Sequence, residues 1–172
     1  AGNGLVAGSF SPASLETHLP YNPQDKREIC TALTVKNNVF TNVTNEDWGC
    51  DAIAAGYVRN MTIEHNDISQ ISYMGISLGW GWNRNLIDMQ SNTVRANHIY
   101  LYARHMYDVA AIYTLGAQPK TVISENYIHD IYGPGYTHDP HHWFYIYNDE
   151  GSSFMNMKNN WVPAEKFLQN AN

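Results

Sequence analysis

The sequence predicts an all-β chain wound as a right-handed parallel β-helix, and three observations predict it. One motif recurs five times: an apolar residue, two variable residues, asparagine, one variable residue and a second apolar residue. The copies are Val35 to Phe40, Ile63 to Ile68, Val94 to Ile99, Ile123 to Ile128 and Met157 to Val162. Their asparagines fall at 38, 66, 97, 126 and 160, in steps of 28, 31, 29 and 34 residues, a period that marks a repeat architecture. The flanks alternate apolar with polar residues, as in Leu33-Thr34-Val35 and Met61-Thr62-Ile63, which is the period of a half-buried strand. Neither leucine at fixed offsets nor helical periodicity is present, so leucine-rich and helical repeats are excluded.

Each element follows from this repeat. Neighbouring coils of a β-helix stack ~4.8 Å apart through main-chain hydrogen bonds. Asn38, Asn66, Asn97, Asn126 and Asn160 then lie above one another as an inward ladder at one corner, each amide donating to and accepting from the next. A second strand follows each asparagine, centred on Ala52-Ile53-Ala54, Gly75-Ile76-Ser77-Leu78, Ala110-Ala111-Ile112-Tyr113 and Tyr145-Ile146-Tyr147. Its central isoleucine comes 15, 10, 15 and 20 residues after the asparagine. Loops of unequal length leave the coil there, and such insertions tend to build the binding face of a solenoid.

Residues 1–172 are read as one domain. Residues 1–30, with Pro12, Pro20 and Pro23, are expected to form an N-terminal loop and cap. Residues 31–162 form four to five coils, and 163–172 a tail with one short helical turn over the last coil. A β-helix exposes strand edges at both ends, and so few coils are small for the architecture. The chain is therefore expected to be a fragment, its neighbours being the remaining coils of a longer β-helix.

Composition narrows the function. Charged residues make up 15% of the chain and the net charge is −6, without a basic cluster. Nucleic-acid binding, which needs phosphate-neutralising Lys and Arg, is not expected. No apolar run is long enough to span a membrane, and no signal peptide is recognisable. Aromatic residues reach 13%, with 12 Tyr and 5 Trp. Cys30 and Cys50 sit in or beside expected strands and are read as buried free thiols rather than a disulfide.

The placement of the few carboxylates points to chemistry. Asp108 precedes the second strand of the third coil; Asp149 and Glu150 follow that of the fourth. Stacking makes these adjacent rungs, so 41 intervening residues do not separate them in space. Two carboxylates flanking a cleft are what glycoside hydrolysis requires, one as acid/base and one as nucleophile or second base. Turn-capping Asx hydrogen bonds are the alternative role for both aspartates. His138 and His142, in the insertion before the fourth-coil strand, and His105, three residues before Asp108, are expected to bind sugar hydroxyls or orient the acids. Metal binding by the His138-Asp139-Pro140-His141-His142 run is weighed and not favoured, because no second cluster completes a site. Trp80 and Trp82, in the run Gly79-Trp80-Gly81-Trp82-Asn83, together with Tyr113, Trp143 and Tyr147, offer flat faces for sugar rings; sealing the coil is the competing role of Trp80 and Trp82.

Four runs carry a resemblance: Tyr73-Met74-Gly75-Ile76-Ser77-Leu78-Gly79-Trp80-Gly81-Trp82, Tyr107-Asp108 through Ala111-Ile112-Tyr113-Thr114-Leu115, Asn126-Tyr127-Ile128-His129-Asp130 and Asp149-Glu150-Gly151-Ser152-Ser153. From about Thr31 to Val162 the chain resembles the parallel β-helix proteins of bacterial polysaccharide degradation, nearest to glycoside hydrolase family 141. That resemblance implies α-L-fucosidase or xylanase activity, a secreted or periplasmic setting, and a catalytic pair of aspartates on neighbouring coils, matched here by Asp108 and Asp149. Relatives often carry Gly-Gly after the first aspartate where this chain has Val109-Ala110-Ala111, which narrows the cleft. The expected function is hydrolysis of an oligo- or polysaccharide by Asp108 and Asp149 with Glu150 in support, without a cofactor. A non-catalytic glycan-binding β-helix is the first alternative. A polysaccharide lyase is the second, with Arg104 and Lys120 as the basic residues near the acids but no aspartate cluster for calcium.

Overall fold

The computed structural model describes residues 2–10, 22–82 and 84–170. Pro12 and Pro20 of the expected N-terminal loop lie outside them. Every paired strand of the described residues runs parallel to its neighbour. The chain is a parallel β-helix. Successive coils contribute strands to three stacked sheets, and Cys30–Thr31 with Val58–Arg59 forms a fourth of two strands. The six-stranded sheet runs Leu5–Ala7, Ile53–Ala55, Ile76–Leu78, Val109–Thr114, Trp143–Asn148 and Phe167–Gln169. The five-stranded sheet runs Thr34–Lys36, Thr62–Glu64, Thr93–Arg95, Val122–Ser124 and Asn156–Lys158, and the four-stranded sheet Val39–Thr41, Asp67–Ser69, His98–Tyr102 and Tyr127–Ile131.

The repeat motif straddles the corner between the five- and four-stranded sheets. Its first apolar position stacks as Val35, Ile63, Val94, Ile123 and Met157, and its second as Phe40, Ile68, Ile99 and Ile128. Ile53, Ile76, Ile112 and Ile146 form the third internal column, in register across the six-stranded sheet. Nearly all of these side chains are buried, and they meet in one continuous core. Burying a side chain of this size is worth ~1.5–3 kcal/mol, so the columns are the main force holding the coils together.

At the corner, the residue before each motif asparagine has a positive φ: Asn37 58°, His65 53°, Ala96 52°, Glu125 59° and Asn159 57°. A left-handed residue turns the chain sharply enough to start the next sheet after a single step. Two of the five are asparagine, which tolerates this region; Ala96, Glu125 and His65 carry the steric cost of a Cβ there. The asparagines that follow offset it. Asn66 Nδ2 donates to Asn97 Oδ1 at 2.9 Å, Asn97 Nδ2 to Asn126 Oδ1 at 3.0 Å, and Asn126 Nδ2 to Asn160 Oδ1 at 2.9 Å. The second amide hydrogen of each goes to a carbonyl of the preceding coil: Val35, Ile63 and Val94 respectively. Each Oδ1 also receives the main-chain N–H of the asparagine before it. The buried amides are thus fully used.

Both ends differ from expectation. Within residues 1–30, Leu5–Ala7 is a strand paired to Ile53–Ala55. Cys30–Thr31 pairs with Val58–Arg59, and Lys26–Glu28 forms a short 3₁₀ turn capped by Asp25. The tail carries a strand, Phe167–Gln169 on Ile146 to Asn148, where one helical turn is expected. In both places the unpaired edge of a growing sheet offers main-chain hydrogen bonds that a loop or isolated turn would leave to water. Cys30 and Cys50 are free thiols and only partly buried. Burial and the neighbouring Asp47 push the Cys50 thiol up to about 11.

Candidate active site

The six-stranded sheet positions the carboxylates. Asp108 enters the Val109–Thr114 strand with φ 53°, and its N–H donates to the His142 carbonyl at 2.8 Å. This left-handed step turns its side chain off the strand, half exposed, with His142 Nε2 3.1 Å from its Oδ1. Asp149 leaves the Trp143–Asn148 strand one coil on, its N–H bonded to the Thr114 carbonyl. It is 9% exposed and held on both oxygens: the Tyr113 hydroxyl donates to Oδ2 at 2.6 Å and Asn170 Nδ2 to Oδ1 at 2.8 Å.

Tyr147 stands between the partners of the two acids, its ring meeting His142 edge to face at 6.2 Å. It is in register with Tyr113, the rings meeting edge to face at 5.1 Å. Burial raises the Tyr147 hydroxyl above its ordinary range, and the charges and hydrogen bonding of Asp108 and Asp149 raise it further. Tyr113 is raised by burial and by its bond to Asp149. Tyr73 is raised by burial and by the charges of Asp108, Asp51 and Asp149 in turn. Three phenols thus stay protonated beside carboxylates, in a setting where an ionised phenol would face like charge.

Beyond Tyr113 the same face holds a pocket lined by Asp51, Tyr73, Ser77, Trp80 and Trp82, among others. Trp80 meets Trp82 edge to face at 4.8 Å and Phe10 at 5.2 Å. Asp51 precedes the Ile53–Ala55 strand, and its N–H is held by Asn3 Oδ1 at 2.6 Å. Burial raises its carboxyl to about 7, outweighing hydrogen bonds from the Ser77 side chain and the Met74 main chain.

The structure brings Asp108, His142, Tyr147, Asp149 and Tyr113 together, with Trp80 and Trp82 across the adjoining pocket. It spreads the remaining expected residues. His105 stacks on Trp48 at 4.4 Å, with its Nδ1 2.8 Å from the Tyr136 hydroxyl, and burial, then Arg104, lowers its pKa. His138 lies against Tyr107 at 5.7 Å. Glu150 turns the chain after Asp149, its carbonyl accepting from the Gly116 N–H. Trp143 stands apart from the pair: it packs on the core, edge-on to Tyr145, with Lys166 Nζ 4.5 Å above its ring. Among the described residues, no group of three or more His, Cys, Asp or Glu is gathered to hold a metal ion. Asp51, Tyr73 and Asn170 were not singled out as site residues from sequence. For Asp51 a signal existed, because it stands just ahead of a sheet strand as Asp108 does.

A solved structure named "Glycoside hydrolase" superposes on the whole of this chain with a TM-score of 0.97 and 61% identity. The chain spans 29% of that protein's length. No family model and no curated protein matches.

Proposed function

We propose that this chain carries the active face of a glycoside hydrolase, in which Asp108 and Asp149 hydrolyse a glycosidic bond. The observation that carries the reading is the continuous run of contacts that links the two carboxylates across successive coils, from Asp108 through His142, Tyr147 and Tyr113 to Asp149. The likeness to a 61% identical structure named for that activity supports it. A nucleophilic Asp149 would make the enzyme a retaining one, with its two carboxyl groups ~5–5.5 Å apart. Asp149 suits the nucleophile, because Tyr113 and Asn170 fix both its oxygens. Asp108 suits the acid/base. It is reachable by solvent, lies beside His142, and would protonate the leaving oxygen and then activate water.

The substrate is a plant or host glycan of α-L-fucoside or xylan-like type, and the setting is secreted or periplasmic. The test is to incubate the purified protein with fucosylated glycans and xylans and to follow the first-formed anomer by proton NMR. Release of a reducing sugar with retained configuration is expected. Unsaturated, ultraviolet-absorbing products would instead indicate a lyase, and absence of any product would favour the glycan-binding reading.

A further inference from the structure

Away from the carboxylate pair, the outer face of the four-stranded sheet carries a row of imidazole, phenol and carboxyl side chains. Register places Asp67 beside His98, His98 beside Tyr127, and Tyr100 beside His129 on successive coils. His98 Nδ1 lies 2.9 Å from Asp67 Oδ2, and His129 Nδ1 lies 2.9 Å from Asp130 Oδ2. Asp130 can reach its chain neighbour because its φ of 44° breaks the alternation of the strand. A carboxylate only accepts hydrogen bonds, so each Nδ1 carries its ring's hydrogen and each Nε2 keeps a lone pair. Yet the two Nε2 atoms face each other at 2.8 Å. Two lone pairs at that distance repel unless a positive charge lies between them. Neighbouring rings hold the arrangement in place: Tyr127 stacks on His98 at 5.1 Å with 7° between the planes, and Tyr100 on His129 at 5.3 Å with 9°.

We propose that His98 and His129 form a two-histidine clamp for a divalent transition-metal ion of the imidazole-preferring class (zinc, nickel or copper), held between their Nε2 atoms with water completing its shell. Charge favours a dication over a shared proton, because Asp67 and Asp130 bring two negative charges to two neutral rings. The order carboxylate, imidazole, metal is that of metal-ligating histidines, whose second nitrogen donates to a group that fixes tautomer and ring orientation. An ion and its waters can enter, since the side chains of His98 and His129 are 37% and 19% exposed. Two metal–nitrogen bonds of ~2.0–2.1 Å at a tetrahedral angle span about 3.4 Å, so the rings need to part by only about 0.6 Å. The bound ion would tie two successive coils together on a sheet that carries neither Asp108 nor Asp149, so the clamp stands independently of the glycoside hydrolase reading.

Isothermal titration calorimetry of the full chain with zinc chloride tests it. One ion per chain is expected, with a Kd on the order of 10 μM, because two protein ligands hold an ion far less tightly than the four of a structural site. His98→Gln and His129→Gln are each expected to weaken binding at least tenfold, and Asp67→Ala about tenfold by releasing the His98 ring. Absence of zinc binding by the wild type at about 100 times that concentration would overturn the proposal, leaving a proton shared between the rings. So would unchanged affinity in His98→Gln with a native circular dichroism spectrum, which would place the ion elsewhere. If that variant does not fold, proton NMR of the wild type decides alone. Zinc is expected to shift the ring Cε1–H signals of His98 and His129 at lower concentration than those of the other six histidines. Signals of His98 and His129 that stay in place as zinc binds would overturn the clamp.

Discussion

Asp149 and Asp51 show how one sheet face treats two carboxyls differently. Asp149 has donors on both oxygens, whereas Asp51 has one oxygen sealed and unpartnered. Hydrogen bonds fix both oxygens of the first, while burial disfavours charge on the second. Replacing Tyr113 by Phe removes a donor to a buried carboxylate, a bond worth ~1.5–3 kcal/mol. The melting temperature is expected to fall by roughly 5 °C in a scanning calorimetry comparison. Asp51 gives a pH-dependent prediction. Its folded pKa of about 7 lies above the ordinary 3.8, so the native state keeps a proton that the unfolded chain releases. The stability that this proton confers is fully present below the unfolded value and is lost as pH rises toward and through 7. Asp51→Asn, which cannot ionise, should therefore gain on the wild type as pH rises. The difference in melting temperature should grow between pH 4 and 8, to a few degrees. A difference that stays constant across that window would show that Asp51 does not titrate as described.

Corner asparagines and the left-handed residues before them act as a unit. Asn97 makes four hydrogen bonds, two through its amide nitrogen and two through its oxygen. Asn97→Ala leaves partners unsatisfied on the coils above and below, at ~1–3 kcal/mol each. A loss of about 10 °C in melting temperature is expected. Ala96→Gly should act the other way, because glycine occupies φ 52° without the Cβ penalty. A gain of roughly 3 °C would show that the strain at this corner is real. The motif made this corner legible in the sequence, since Val94, Asn97 and Ile99 each face a fixed environment in every coil. The left-handed position was not legible. Asn37 and Asn159 suit it, but Ala96 and Glu125 are there because the asparagine after them fixes the turn. The end strands Leu5–Ala7 and Phe167–Gln169 were missed for a related reason: each pairs with a strand more than 20 residues away and belongs to no repeat.

At the scale of the whole molecule, the site exists because coils stack in register. Ile112 opposite Ile146 sets Tyr113 opposite Tyr147, and Asp108 and Asp149 then flank that pair from opposite ends of adjacent strands. This much could be reasoned from the repeat, because register follows from the isoleucine columns. The histidines could not be sorted in the same way. His105, His138 and His142 all lie in loops, where no period fixes direction; only His142 reaches an acid, while His105 turns to Trp48 and Tyr136. Trp143 looked like a sugar platform, yet its position opposite Val109 directs it to the core. Asp108 and Asp149 are proposed to act as one catalytic pair. The most direct measurement is the turnover of Asp108→Asn and Asp149→Asn on a glycan that the wild type cleaves, with melting temperatures taken alongside. A loss of at least about 100-fold is expected in each variant with the fold intact. Turnover near the wild-type rate in either variant would contradict it.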